Sequence, residues 1–247
     1  MAATKRPIEV NNFEKFCEDK GENNWILEVD GKRFPPGTDW KVKSRFGSVE
    51  AAVVVDKEGR PLFDRPSYSE APGVSIVAWG RDAVTGEVKI AVIHQPRPHA
   101  DDPEDRSSTE EMVFGQLPMG FMDKLIGKEE MEHFTDAAKR ETAEEAGASV
   151  ILAIEVPPYP YQNACPSFVR SWTDLCFVEV DLQKIVERKK DATEPIYKAE
   201  YISVRELIRR VGVGKADGAV YRMGISNSLW FIFFCCHPDL WPDNIYR

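Results

Sequence analysis

Short apolar runs alternate with polar turns that contain glycine and proline along most of this chain. Runs rich in β-branched and aromatic residues predict strands at residues 25–29, 40–43, 49–55, 74–79, 88–94, 112–116, 150–156, 170–180 and 197–203. Helical signals predict a short helix at 14–20, one that ends near Gly147, one that begins after Ser203, and one at 226–236. Helices distributed among strands predict an α/β (α+β) fold built on a mixed sheet.

The first part of the chain has a pattern of its own. Four proline or glycine residues between positions 61 and 73 indicate a connector. We therefore predict an N-terminal β-rich arm at residues 1–72 and a main domain at residues 73–247. At 247 residues the chain is long enough to bury a sizeable core.

Composition narrows the classes of partner. A formal net charge of -9 makes nucleic acid and acidic membrane surfaces poor default partners. Five cysteines without a CxxC spacing favour reduced thiols. No targeting signal is visible and no apolar run could span a bilayer, so we expect a cytoplasmic protein that binds no membrane and no nucleic acid. An anionic substrate would be repelled unless a bound cation reversed the local field.

The acidic segment RETAEEAGA, residues 140–148, carries the strongest chemical signal. On a helix, Glu141 reaches the same face as Glu144 and Glu145, because residues three and four apart stack on adjacent turns. Clustered carboxylates repel one another, whereas a hard cation such as Mg2+ needs several oxygen ligands. A solvated acidic helix face is the simpler alternative. An apolar stripe on the preceding turns gives the helix a packing side and favours a metal site.

The charged spacing resembles half of a known motif. Glu132, seven intervening residues and then RETAEEAGA resemble the second half of the Nudix box, G-x5-E-x7-R-E-U-x-E-E-x-G-U. The first half departs, because Ile126 stands where the box has glycine. The counterpart is Gly120 in LPMGFMDK, which implies an insertion of about six residues before Glu132 and a box at about residues 120–148. The insertion would lengthen a loop rather than the helix.

Resemblance to the Nudix hydrolases implies an α/β/α sandwich and a Mg2+-dependent pyrophosphohydrolase, in which Mn2+ could replace Mg2+. It implies catalytic or metal-binding roles for the box residues and the neighbouring backbone, namely Glu132, Arg140, Glu141, Glu144, Glu145, and Met119 or Gly120. Arg140 would orient an acid of the box rather than bind substrate. Glu194, or alternatively Asp191, would supply a loop acid that acts as a further ligand or general base.

Three further elements resemble those of ADP-ribose and ADP-sugar pyrophosphatases. Gln95-Pro96-Arg97, Leu117-Pro118-Met119-Gly120 and Cys165-Pro166-Ser167 resemble Q-Y-R, L-P-A-G and S-P-G, with Pro96, Met119 and Ser167 in place of the usual residues. The resemblance implies a nucleoside diphosphate sugar such as ADP-ribose as substrate, with contacts from Arg97, Gly120 and Phe168, and a homodimer formed through the N-terminal arm. A nucleotide-sensing module without turnover is one alternative. A hydrolase of dinucleoside polyphosphates or inositol pyrophosphates is another.

Overall fold

The protein is described by a computed structural model, and its chain divides into two compact units. The described residues are 28–29, 32–33, 41–44, 47–55, 57–58, 61–97, 112–123, 130–162, 172–188 and 195–241. One unit comprises residues 1–71 and 165–171, and the other comprises residues 72–164 and 172–247. The short helix expected at 14–20 lies outside the described residues, and the expected homodimer stays a prediction.

The first unit contains β1 (Glu28–Val29) and β2 (Lys32–Arg33), which pair with each other, and a separate three-stranded antiparallel sheet. That sheet has the order β3 (Lys41–Ser44), β4 (Gly47–Val55) and β5 (Pro61–Glu70). The expectation of a connector at residues 61–73 was wrong, because β5 occupies most of that range. Among the described strands β5 is an edge strand, with a hydrogen-bonding partner on one side only, and an edge strand tolerates prolines.

The second unit is built on a mixed ten-stranded sheet. Its strands are β6 (Gly73–Arg81), β7 (Val88–Arg97), β8 (Met112–Gln116), β9 (Met119–Phe121), β10 (Ile151–Glu155), β11 (Tyr161–Gln162), β12 (Thr173–Val180), β13 (Lys198–Ser203), β14 (Lys215–Ala216) and β15 (Ala219–Val220). Their order is β10-β12-β6-β7-β8-β15-β14, with β11 beside β12, β13 beside β7 and β9 beside β6. β12 runs parallel to β6 and β15 runs parallel to β8, whereas the other pairs are antiparallel.

Within the described residues, three helices cover the sheet: α1 (Phe134–Ala146), α2 (Val204–Val213) and α3 (Gly224–Cys236). Alternate side chains of the central strands contribute to two separate cores, as the period of two in a strand requires. Alanines of α1 pack in one core with Val74, Ile76 and Ala78 of β6. The other core joins α2 and α3 to residues of opposite phase, including Val77. This arrangement confirms the expected α/β fold with a mixed sheet. No described helix has the length and apolar character needed to cross a membrane.

Candidate active site

Helix α1 presents its three acids in two different environments. His133 caps its N-terminus, where the ring nitrogen accepts from the Thr135 N–H, and Gly147 ends it in the left-handed conformation with φ 69°. Glu141 and Glu145 lie one turn apart on the packed side and are 6% and 2% exposed. The Glu144 side chain is 60% exposed. The helix therefore buries two of the three predicted acids and leaves the third at the surface.

Strand β9 brings main-chain atoms against the two buried acids. It is held on the edge of β6, where Met119 pairs with Ser75 and Gly120 pairs with Val74. The Met119 N–H donates to Glu145 Oε2 at 2.7 Å. A Cβ atom placed on Gly120 would lie 1.9 Å from Glu141 Oε1, so any side chain at this position would collide with that carboxylate. The predicted Gly120 is thus a contact point of the site.

Arg140 joins the acids of the site through its guanidinium fork. Its Nη1 donates to Glu141 at 2.6 Å and to Glu144 at 3.3 Å, and its Nη2 donates to Glu132 at 2.9 Å. Burial opposes the charged guanidinium, but the bonds to Glu132 and Glu141 outweigh it and raise the pKa of Arg140. Nη2 also donates to the Phe121 carbonyl at 2.8 Å, which ties the fork to β9. The geometry suits a residue that orients carboxylates.

Asp123 was absent from the residues predicted for the site. Its N–H donates to Glu132 Oε2 at 3.1 Å, its carbonyl accepts from the Glu132 N–H at 2.8 Å, and its carboxylate lies 3.6 Å from Arg140 Nε. No spacing or motif in the sequence distinguishes Asp123 from other polar residues. Residues 124–129 lie outside the described part of the chain, and Asp123 and Glu132, on either side of this segment, are in contact.

The donor set suits a hard divalent cation. Carboxylate oxygens and main-chain oxygens are the ligands that Mg2+ prefers. Glu141 and Glu145 supply two buried carboxylates beside β9, where Gly120 lacks the side chain that would fill the space. Within the described ranges, no group of three or more His, Cys, Asp or Glu side chains is placed to hold an ion. Instead Arg140 contacts Glu141 and Glu144, and Glu145 accepts from Met119.

Comparison with solved structures finds similar architectures. An ADP compounds hydrolase aligns with 83% of this chain and 97% of its own, at 13% identity and a TM-score of 0.49. The NUDIX domain of Shewanella oneidensis NrtR, solved with ADP ribose, aligns with 68% of this chain and 87% of its own, at 12% identity and a TM-score of 0.41. A C. elegans Ap4A hydrolase aligns with 68% of this chain and 98% of its own, at 13% identity and a TM-score of 0.39. No protein-family model and no curated protein matches the sequence.

The mixed sheet and the three described helices packed on it make this an α/β fold. The second half of α1 carries the charged residues that resemble the Nudix box, and α1 is called the Nudix helix only for that resemblance.

Arg97 contacts strands β8 and β9 through its guanidinium. Its Nε donates to Gln116 Oε1 at 3.0 Å, and its Nη2 lies 3.8 Å from the Met119 sulfur. Met119 therefore contacts Arg97 through its sulfur and Glu145 through its main-chain N–H. Phe168, Glu194 and Asp191 lie outside the described residues, and their predicted roles stay predictions.

Glu132 makes the stability of the protein depend on pH. The hydrogen bond from Arg140 lowers the pKa of the Glu132 carboxyl from its ordinary value of 4.5. The unfolded chain therefore binds more protons between the two pKa values. The resulting stabilisation is complete above about pH 4.5 and is lost as the pH falls through the folded-state value.

We expect Glu132→Gln to lower the free energy of unfolding by about 2 kcal/mol at neutral pH, because hydrogen bonds to charged groups contribute on that order. The difference from the parent chain should shrink as the pH is lowered from about 5 to about 2, since the native carboxyl then takes up a proton. Urea unfolding across this range measures it. Glu87→Gln, in an exposed turn, is the surface control and should change the free energy of unfolding by less than about 0.5 kcal/mol. A difference that did not change with pH would contradict the assignment.

Proposed function

We propose that this chain is a Nudix hydrolase that uses Mg2+ to cleave the diphosphate of a nucleoside diphosphate linked to a second moiety. The preferred substrate is ADP-ribose or a related nucleotide sugar. The observation that carries the proposal is the pair of buried carboxylates, Glu141 and Glu145, held against β9 by Arg140 and the Met119 N–H. Burial of a carboxylate is costly unless it is paired, so two of them side by side indicate a site with a use for negative charge.

The residues of the site have separable tasks in this reaction. Glu141, Glu144 and Glu145 would hold Mg2+, with main-chain oxygen from Met119 or Gly120. The ion would offset phosphate charge and acidify the attacking water. Arg140 and Glu132 keep Glu141 in position, and the Met119 N–H keeps Glu145 in position. Arg97 would bind a phosphate oxygen through its fork. Glu194 or Asp191 would accept a proton from the attacking water.

The reaction divides one anhydride into two monoesters. The oxygen of water forms a bond to one phosphorus, the bridging anhydride oxygen leaves with the other phosphorus, and the two protons of water are taken up by base and product. For ADP-ribose the products are AMP and ribose 5-phosphate. The positive charge of the ion would be needed for substrate binding, because a chain of net charge -9 would otherwise repel a diphosphate.

A substrate screen tests the proposal directly. The purified chain would be incubated with ADP-ribose, ADP-glucose, Ap4A and an inositol pyrophosphate, each with Mg2+ or Mn2+, and both products would be identified by mass spectrometry. We expect AMP and ribose 5-phosphate from ADP-ribose, and no product when EDTA removes the metal. Repeating the reaction in 18O-labelled water shows which phosphorus is attacked. Tight binding of these nucleotides with no product at any metal concentration would indicate a sensing module instead.

A further inference from the structure

Three polar side chains form a chain of hydrogen bonds across β7 and β8, beside the acids of the Nudix helix. Gln95 and Arg97 are two residues apart, so they share a face of β7, and Gln116 ends β8, which pairs with β7. Gln116 Nε2 donates to Gln95 Oε1 at 2.9 Å, and Arg97 Nε donates to Gln116 Oε1 at 3.0 Å. Gln116 is 0% exposed and Gln95 is 9% exposed.

The direction of these bonds follows from the chemistry of arginine. A guanidinium has donors only, so Gln116 must present its oxygen to Arg97. Its amide nitrogen then points to Gln95, which must present oxygen in turn. The amide orientations of Gln95 and Gln116 are thereby fixed, because a flipped amide would place two donors against each other. The hydrogen bond that Arg97 Nε donates to the buried Gln116 therefore sets the orientation of the guanidinium.

At the other end of this chain of hydrogen bonds, Met119 connects Arg97 to the box acid Glu145. Arg97 Nη2 lies 3.8 Å from the sulfur of Met119, whose N–H donates to Glu145 Oε2 at 2.7 Å. The side of the guanidinium that carries the terminal nitrogens thus faces the strand that holds Glu145. Arginine is suited to binding phosphate oxygens in pairs when its fork is held in one plane.

We propose that Gln116 is a positioning residue that orients Arg97 toward a phosphate of a nucleoside diphosphate bound beside Glu145. The inference rests on the proposed function for the identity of that ligand. Gln116 suits the task because it adds a hydrogen bond to Arg97 without adding a negative charge. A glutamate at this position would bind Arg97 more strongly and would cancel its attraction for the diphosphate.

The test measures binding without turnover, so that it stays separate from the test of hydrolysis. The probe is adenosine 5′-(α,β-methylene)diphosphate, titrated calorimetrically with Mg2+ into the parent chain, Gln116→Glu, Arg97→Met and the double variant. We expect Gln116→Glu to raise Kd about tenfold, which corresponds to about 1.4 kcal/mol. We expect it to raise Kd less than about twofold when Arg97 is already methionine, because Gln116 acts through Arg97. Gln183→Glu places the same charge on an exposed turn and should leave Kd unchanged.

Gln116→Met is a second variant that tests the same contact if Gln116→Glu fails to fold. It introduces no buried charge and removes the acceptor for Arg97, and we expect Kd to rise by about threefold or more with a cooperative thermal transition retained. Effects of Gln116 and Arg97 that add in the double variant would overturn the inference, as would an unchanged Kd in both Gln116 variants or a parent chain that does not bind the probe. Binding that follows the prediction in a chain that hydrolyses nothing would support the inference and contradict only the proposed function.

Discussion

Replacing Glu145 with glutamine is expected to lower kcat/KM for the preferred substrate by about 10³-fold, in the range seen when one electrostatic contact to a transition state is removed. Glutamine has nearly the same shape, and its Oε1 can still accept the hydrogen bond that the Met119 N–H donates to Glu145 at 2.7 Å. The variant therefore keeps its main-chain contact and loses only the negative charge. Loss of charge should remove binding of the divalent cation together with turnover.

The measurement combines steady-state kinetics with titration of Mg2+ or Mn2+ into the metal-free protein. Asp136→Asn is the matched control, since Asp136 is exposed on the first turn of the same helix and pairs with Lys139 at 2.8 Å. That variant should keep kcat/KM within about twofold, as surface substitutions usually do. Full activity in Glu145→Gln with an unchanged thermal midpoint would show that Glu145 has no part in the reaction.

Gly120→Ala is expected to lower kcat/KM by about 10²-fold, because displacing a catalytic group by about 1 Å can cost that much. The added Cβ would lie 1.9 Å from Glu141 Oε1 and 2.0 Å from its Cδ. Real Cβ atoms keep contacts of at least 3.0 Å, so the carboxylate would have to move by about 1.1 Å, the difference between 3.0 and 1.9. That movement would break the 2.6 Å bond from Arg140 to Glu141.

Variants of two other glycines distinguish displacement of Glu141 from a general loss of stability. Gly212 lies inside α2, and among the described residues no heavy atom outside its chain neighbours and its own helix backbone lies within 4 Å of an added Cβ. Gly212→Ala should therefore stabilise the fold by about 1 kcal/mol and leave activity unchanged. A Cβ on Gly115 would lie 2.5 Å from the buried ring of Tyr221, so Gly115→Ala should destabilise the core without touching Glu141. Equal activity loss in Gly120→Ala and Gly115→Ala would point to misfolding rather than to displacement of Glu141.

Local signals in the sequence predicted several elements closely. Gly147 was predicted to end the acidic helix and does so with a positive φ, which glycine adopts at little cost. Ser203 was predicted to cap α2, and its side chain accepts from the Glu206 N–H at 3.2 Å. The strands predicted at 74–79 and 88–94 lie within β6 and β7, which pair with each other. Such signals are legible because they depend on neighbours within a few residues of the chain.

The errors and omissions come from contacts between distant residues. The prolines of β5 suggested a connector, since nothing in the sequence shows that a strand will lie at the edge of a sheet. The sequence does not distinguish Asp123 or Gln116, because each is one ordinary polar residue among many. Their importance depends on Arg140 and Arg97, which approach them only after β7, β8, β9 and the Nudix helix have packed.

The sequence by itself determined the charged spacing of the Nudix helix, its end at Gly147 and the α/β class of the fold, because helical period, capping and strand alternation are properties of short segments. Only the tertiary structure decided which of the acids are buried and which residues of β9 contact them. It buries Glu141 and Glu145, leaves Glu144 exposed, and places β9 so that Gly120 meets one buried acid and Met119 meets the other. These outcomes depend on strands that pair across the sheet, and pairing partners are not encoded in any single stretch of residues.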